Sequence, residues 1–409
     1  MSRIRPRRQV AAAALLALSL VAVGCGSDDE GGAGEGPTTT AADGAAPTVE
    51  LGDEAELAVA TTYADLVHQS YTDLIGATTE MQTAIAAFVA TPTEDTLEAA
   101  KASWLAARDL YGPTEAFRFY DGPIDDPEDG PEGQINAWPM DEAYVDYVEG
   151  DDAAGIVNDA AGVPEITRDV VVAANEEGGE TNISTGWHAI EFLLWGQDLS
   201  EDGPGARPVT DYTTSPTAER RATYLTTVTN LLVEDLTAVA AEWDAEDGAY
   251  RASFLEDPAQ AVTNIMRGMG ALSAGELAGE RIAVAYETKE QEDEHSCFSD
   301  NTMADVVNNA RGIRLAYTAE LDGVEGTSLS AAIAEVDPEL DAALREQLDA
   351  TVQMAEDLAA LGTFEAVIRS DDDAEGRVLM LDLVEALQAQ GDAIAELGAT
   401  LGYSVSLEI

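Results

Sequence analysis

TTYADLVHQSYTDLIGATTEMQTAIAAFVATP, Thr61 to Pro92, decides the fold class of this chain. Within it Tyr63, Val67, Tyr71, Leu74, Met81, Ile85 and Phe88 recur at threes, fours and sevens. That spacing lines one face of an α-helix, and Thr91-Pro92 stops it. The same period runs through Leu97, Ala100, Trp104, Ala107 and Tyr111 up to Gly112-Pro113, and again from about 217 to 243. Asp257-Pro258 and Asp337-Pro338 each set an N-cap before a proline at the first helical position. Val306, Ala310, Ile313 and Tyr317 mark a further helix, Leu340, Leu344, Leu348, Val352 and Ala355 another, and Met380, Val384, Leu387, Gly391 and Ile394 the last. Strand-like alternation is nearly absent. The pattern predicts an all-α protein, and its break around Asp244–Asp257 divides the body into two tandem helical bundles, 55–250 and 251–409.

The first residues belong to targeting rather than to the fold. MSRIRPRR is basic, and VAAAALLALSLVAVG after it is apolar but too short for a permanent anchor. AVGC, ending at Cys25, resembles the lipobox of bacterial lipoproteins. The resemblance implies a signal peptide over 1–24, cleavage before Cys25 and lipidation of its sulfur. Residues 25–54 are rich in Gly, Ser, Thr, Asp and Glu and cannot bury enough apolar surface to order themselves. About 25 such residues reach roughly 25–30 Å, a tether that holds a folded body near a membrane. Cys297 is left without a partner in the mature chain, so no disulfide framework is expected.

The chain carries 20 basic and 79 acidic residues, a net charge of −59. Such a surface repels nucleic acid and attracts cations. Most of these carboxylates read as a solvated coat rather than as ligands.

One stretch does not fit the coat. GWHAIEFLLWGQD, Gly186 to Asp198, is apolar between Trp187 and Trp195 except for His188 and Glu191. Three residues apart on a helix, the two side chains share a face. A buried carboxylate needs a partner or a metal, and metal-binding bundles use His and Glu at this spacing. Further metal ligands are sought in two aromatic-rich stretches. TEAFRFYDGPID supplies Glu115, with Arg118 one turn on, and INAWPMDEAYVDYV supplies Asp141. His295, beside Cys297 in EDEHSCF, is a secondary candidate for metal or haem, although Thr302 to Asp305 reads as a capping box there. Glu276 and Glu280 could line a cleft or be helix surface. His68 reads as a packed or surface histidine. Gly268, Gly270, Gly275 and Gly279 suggest close helix packing.

GWHAIEFLLWGQD, with TEAFRF, GPID, NAWPMDEAYVD, GELAGERI and QEDEHSCFSDNT in order around it, resembles the GxHxxE signature of the imelysin family, also called peptidase M75. Met303 departs from the basic or His residue expected in iron-regulated relatives. The resemblance implies two helical-bundle domains with an inter-domain cleft, an extracytoplasmic location and a link to iron uptake. His188 and Glu191 match the motif directly, with Trp187 between Gly186 and His188.

The reading preferred from sequence is a lipid-anchored protein that binds iron, as ion or haem, or another divalent metal such as zinc. Its expected partners are the membrane, through Cys25, and iron-uptake membrane proteins. The alternative is a zinc metallopeptidase, which needs an open metal position and a general base. HExxH is missing and no second histidine lies near His188, which counts against that chemistry. A scaffold with a purely structural His–Glu pair is the third reading.

Overall fold

Asp53–Ala90 is a single helix of 38 residues (α1), and the apolar stripe read from its sequence is its buried face, from Tyr63 to Phe88. A computed structural model describes residues 50–200, 203–407 and 409. The expected signal peptide, Cys25 and all but the end of the tether lie outside the described residues. Seven further α-helices of ten residues or more follow among them: Glu94–Tyr111 (α2), Gly186–Trp195 (α3), Ala218–Glu242 (α4), Pro258–Ala271 (α5), Thr302–Thr318 (α6), Pro338–Ala359 (α7) and Glu375–Thr400 (α8). No strand occurs among the described residues, and a single bridge joins Val148 to Asp151. The fold is all-α. No described helix is long and apolar enough to cross a membrane.

The termini of these helices follow from local chemistry. Thr93 caps α2, accepting from Thr96 N–H while the Thr96 hydroxyl accepts from Thr93 N–H. Asp257 and Asp337 cap α5 and α7, each before a proline. The α6 terminus differs from expectation: Asn301 is its N-cap, without a side-chain cap bond. The Thr302 hydroxyl instead accepts from Ser296 N–H at 3.1 Å, and Asp305 is turned into the core.

α1 packs on α2 and α4 and also on α5, beyond the expected boundary. On the other side α6, α7 and α8 pack in sequence, and α8 returns onto α5. Residues 250 and 251 lie inside the short helix Ala249–Glu256, and the described residues belong to one compact unit. The two halves therefore meet through packed side chains, and the imelysin-like motif lies at that meeting.

α5 runs straight into a π-helix over Leu272–Ala283. Three of the four glycines expected to allow close packing do so. A Cβ on Gly268 would sit 2.6 Å from the Ala116 carbonyl oxygen, one on Gly270 2.5 Å from Leu407 and one on Gly275 2.9 Å from Ile409. Gly279 meets only its own helix, at 3.7 Å.

Candidate functional site

All ten residues of α3 are buried. Gly186 opens it at φ 78°, and a Cβ there would collide with the carbonyl of Ile135. Only glycine meets both demands. Gly196, at φ 73°, ends the helix one residue after Trp195. Between them Trp187 and Trp195 each meet Trp104 of α2 edge-on, and Trp104 Nε1 donates to the Trp187 carbonyl at 3.2 Å. These contacts fix the face on which His188 and Glu191 stand.

His188 Nδ1 lies 3.0 Å from Glu191 Oε2. The other carboxyl oxygen, Oε1, accepts from Ser299 N–H at 2.9 Å and from the Ser299 hydroxyl at 2.7 Å. Burial pushes the Glu191 carboxyl up to about 8, against the two Ser299 bonds and Arg108. Burial, and then Arg108, pushes the His188 imidazole well below its ordinary range, so the ring is neutral. Its Nε2 is buried with no hydrogen-bond partner.

The His295 ring meets His188 at a centroid distance of 4.9 Å. His295 Nδ1 lies 2.9 Å from Asp305 Oδ2 and 3.1 Å from Arg108 Nη2, while Nε2 lies 3.4 Å from the same Nη2. Burial and Arg281 keep this imidazole neutral too. Because Asp305 is an ionised acceptor, Nδ1–H donates to it, and the guanidinium lies along the edge of the ring. Arg108 donates to both Asp305 oxygens, at 3.0 and 3.2 Å, and to Asn136 Oδ1 at 2.5 Å. Burial alone would raise the Asp305 carboxyl, but Arg108, together with His295, holds it well below the usual carboxylate range.

The remaining expected residues fall into two groups. Glu115 joins the centre from behind: it accepts from Asn136 Nδ2 at 3.3 Å and is ion-paired to Arg281 Nη1. Arg118 Nη1 is 3.9 Å from Glu115, while its Nη2 pairs with Glu132 at 3.0 Å. Glu276 accepts from Arg281 Nη2 at 2.9 Å. This i,i+5 pairing fits the π-helix, whose turn is wider than that of an α-helix. Glu280 is exposed. Asp141 is exposed as well and caps Glu142–Val145 by accepting from Ala143 N–H at 3.0 Å. It lines a cavity of about 460 Å³ whose inner wall includes His295, Trp138 and Cys297. Cys297 is a free thiol, Met303 is buried in the core, and His68 lies 3.7 Å from Asp244.

His188 and Glu191 are thus brought together, His295 and Trp187 stand beside them, Glu115 and Glu276 are committed to arginines, and Asp141 and Glu280 stand apart. Among the described residues no three His, Cys, Asp or Glu side chains are grouped to hold a metal ion. The donor set fits a metal at one point, the His188 Nε2 nitrogen. A metal-ligating histidine commonly donates its other N–H to a carboxylate, the role Glu191 can fill here. Glu191 itself is occupied by Ser299 and His188.

Sequence reasoning missed Arg108, Asp305, Arg281, Asn136 and Ser299. Arg108 had a signal: it follows Trp104 by four and precedes Tyr111 by three, within an apolar stripe. In a chain this short of basic residues, an arginine on a core face marks a buried anion.

The family profile of imelysin matches residues 67–394. An iron-regulated protein A of Synechococcus elongatus is 27% identical over 342 residues, which cover 80% of this chain and 82% of that protein. The crystal structure of a Parabacteroides distasonis protein described as an iron-regulated protein A precursor superposes with a TM-score of 0.65 at 19% identity, covering 84% of this chain and 95% of that one. At that identity the likeness supports the all-α fold alone. The profile match extends from α1 into α8 and includes every residue of the buried centre. This chain belongs to the imelysin family.

Proposed function

We propose that this imelysin is an extracytoplasmic protein, tethered to the membrane through Cys25, that binds iron as cargo with His188 as its protein ligand. The observation that carries this reading is the His188 ring: one nitrogen is held by a carboxyl while the other is buried without a partner. An orphaned polar atom in a core is costly, and a metal would relieve the cost. The iron-regulated relative and the acidic surface, which concentrates cations, favour iron.

The residues around the ring control its lone pair. Below about pH 8 Glu191 carries a proton and donates it to Nδ1, so metal binding at Nε2 must expel one proton from the pair: the ring proton then moves to Nδ1 and Glu191 becomes its ionised acceptor. Ser299 holds the carboxyl in place by two bonds to its far oxygen. Because one imidazole is a small share of an iron coordination sphere, the remaining ligands would come with the iron, as a chelate or as a porphyrin. The zinc peptidase reading is weaker, since a catalytic zinc takes three protein ligands and a water. Here Glu115 and Glu276 are neutralised by Arg281, and Asp141 is on the surface.

The test uses the chain lacking residues 1–24, beside His188→Ala and Glu191→Ala. Fe2+, Fe3+, Zn2+ and haem are titrated in turn, and thermal unfolding is followed in parallel. Stoichiometric binding lost in both variants, with the fold retained, supports the reading. Undiminished binding in His188→Ala overturns it, as does a wild type that binds none of the four. The anchor is tested separately, by labelled fatty acid incorporation into the full chain that must vanish in Cys25→Ala.

A further inference from the structure

A second group of acids lies near the first centre. A cavity of about 580 Å³ is lined by Asp198, Gln291, Glu365 and Arg369. Gln291 ties its walls together: it donates from Nε2 to Asp198 and accepts from Arg369 Nη2 at 3.0 Å. Glu365 is 1% exposed, and its Oε2 has no partner. Glu294, also 1% exposed, leaves Oε1 without one, and Asp300 leaves Oδ1.

Asp198 and Glu365 line the cavity, and Glu294 and Asp300 lie close enough for the charges to act on one another. Burial raises the Glu294 carboxyl, and the charges of Glu365 and Asp300 raise it further. Burial raises Asp300 as well, followed by Glu365 and Asp198. Among the strongest influences on Glu294 and Asp198 the one positive charge is Arg369. Buried oxygens without donors are rare in native proteins, and grouped ones rarer, because each lacks the water it gave up. Protons shared between neighbouring carboxyls would answer part of the charge. A cation answers both the charge and the lone pairs.

We propose that the cavity walled by Asp198 and Glu365 is a second cation site, which takes a hard, partly hydrated divalent cation such as Ca2+ or Mg2+ and reaches Glu294 and Asp300 through its waters. Cations of this kind keep several waters and need only one or two carboxylates directly. The site thus does not require three side chains to converge. The bound cation joins the segment after α3 and the segment before α6 to the helix Phe364–Ile368. Asp300 follows Ser299, which holds Glu191, so the cation also steadies the acceptor side of the His188 centre. The site stands independently of the iron reading.

The test is thermal unfolding and calorimetric titration of chelator-stripped protein with CaCl2 and MgCl2 at fixed ionic strength. Glu294→Gln and Glu365→Gln are compared with Glu335→Gln and Glu346→Gln on the exposed coat. The expected result is saturable binding that raises the unfolding temperature, weakened at least ten-fold in either buried variant and unchanged in the exposed ones. Equal responses in all four would show diffuse screening of the coat and overturn the site. No response in the wild type would show that protons hold the carboxyls, and would overturn it too. Hydrogen exchange on wild-type protein needs no variant: Ca2+ must protect residues 291–301 and 364–368 above the rest of the chain, and uniform protection refutes the site.

Discussion

Glu191→Gln separates the two roles that the His188–Glu191 pair can play. Burial moves the carboxyl from 4.5 to about 8. Between those values the folded chain holds a proton that the unfolded chain has released, so folding takes up a proton and stability falls as pH rises. Above about pH 8 both states are ionised and the loss levels off. Integrated between pH 5 and pH 8, the contribution is about 3–4 kcal/mol, at about 1.4 kcal/mol per pH unit once the unfolded carboxyl has ionised. Glutamine keeps the oxygen that accepts from Ser299 and places an NH2 group against His188 Nδ1, so the core contacts survive. Denaturant unfolding of both proteins at pH 5 and pH 8 gives four free energies whose double difference isolates residue 191 from the other acids. The wild type should lose about 3–4 kcal/mol more than the variant over this range. Equal pH slopes would refute the buried, proton-holding carboxyl. The same variant holds the proton on His188 Nε2 at every pH, because its NH2 group cannot ionise and Nδ1 must accept, whereas the wild-type pair can release the Glu191 proton and free the lone pair a metal needs. Glu191→Gln should therefore fold and yet lose iron binding. Binding as tight as in the wild type would sink the assignment of Nε2 as ligand.

Asp305→Asn should destabilise the protein by about 3–5 kcal/mol, since it leaves the Arg108 guanidinium buried with its counter-ion removed. Glu234→Gln, which breaks the exposed pair with Arg168, should stay within about 0.5 kcal/mol in the same denaturant titration. Gly268→Ala drives a methyl to 2.6 Å from the Ala116 carbonyl and 2.9 Å from that of Arg118, so a loss of about 1–3 kcal/mol is expected, with a lower unfolding temperature as the readout. Trp104→Phe removes the donor to the Trp187 carbonyl and part of the edge-on aromatic packing, and should cost about 1–3 kcal/mol by chemical denaturation.

The helices were legible where a long apolar stripe faced one core. α1 spans 53–90 where the spacing predicts a helix ending at Thr91, and α5 and α7 start at the two Asp-Pro pairs. The π-helix over 272–283 was not legible, because its glycines and apolar residues suit an ordinary helix equally well. What selects the wider turn is tertiary: Arg281 reaches Glu115 from another element while holding Glu276 within its own. The expected division at 250/251 rests on the break in periodicity around Asp244–Asp257. A break in period marks the end of a helix and does not say which helices share a core. α1 packs on α4 and α5 alike.

The buried centre shows the same limit in its chemistry. HxxE is a local pattern, and the i,i+3 geometry it implies is present at 3.0 Å. The partners that give the pair its properties come from far along the chain: Ser299 lies 108 residues from Glu191, and Asp305 lies 197 from Arg108. Glu115 and Asp141 are acids set among aromatic residues, and such a setting is common to an acid destined for an arginine and to one free to bind a metal. Of the two, Glu115 is buried against Arg281 and Asp141 spends its carboxylate on a helix cap. Counting the buried arginines on core faces would have made the distinction. In a chain with 20 basic residues against 79 acidic ones, each buried guanidinium removes an acid from the pool of candidate ligands. After Arg108, Arg118 and Arg281 have taken Asp305, Glu132, Glu115 and Glu276, His188 Nε2 is the histidine or carboxylate atom of the centre, among the described residues, that is left with neither a hydrogen bond nor an ion pair.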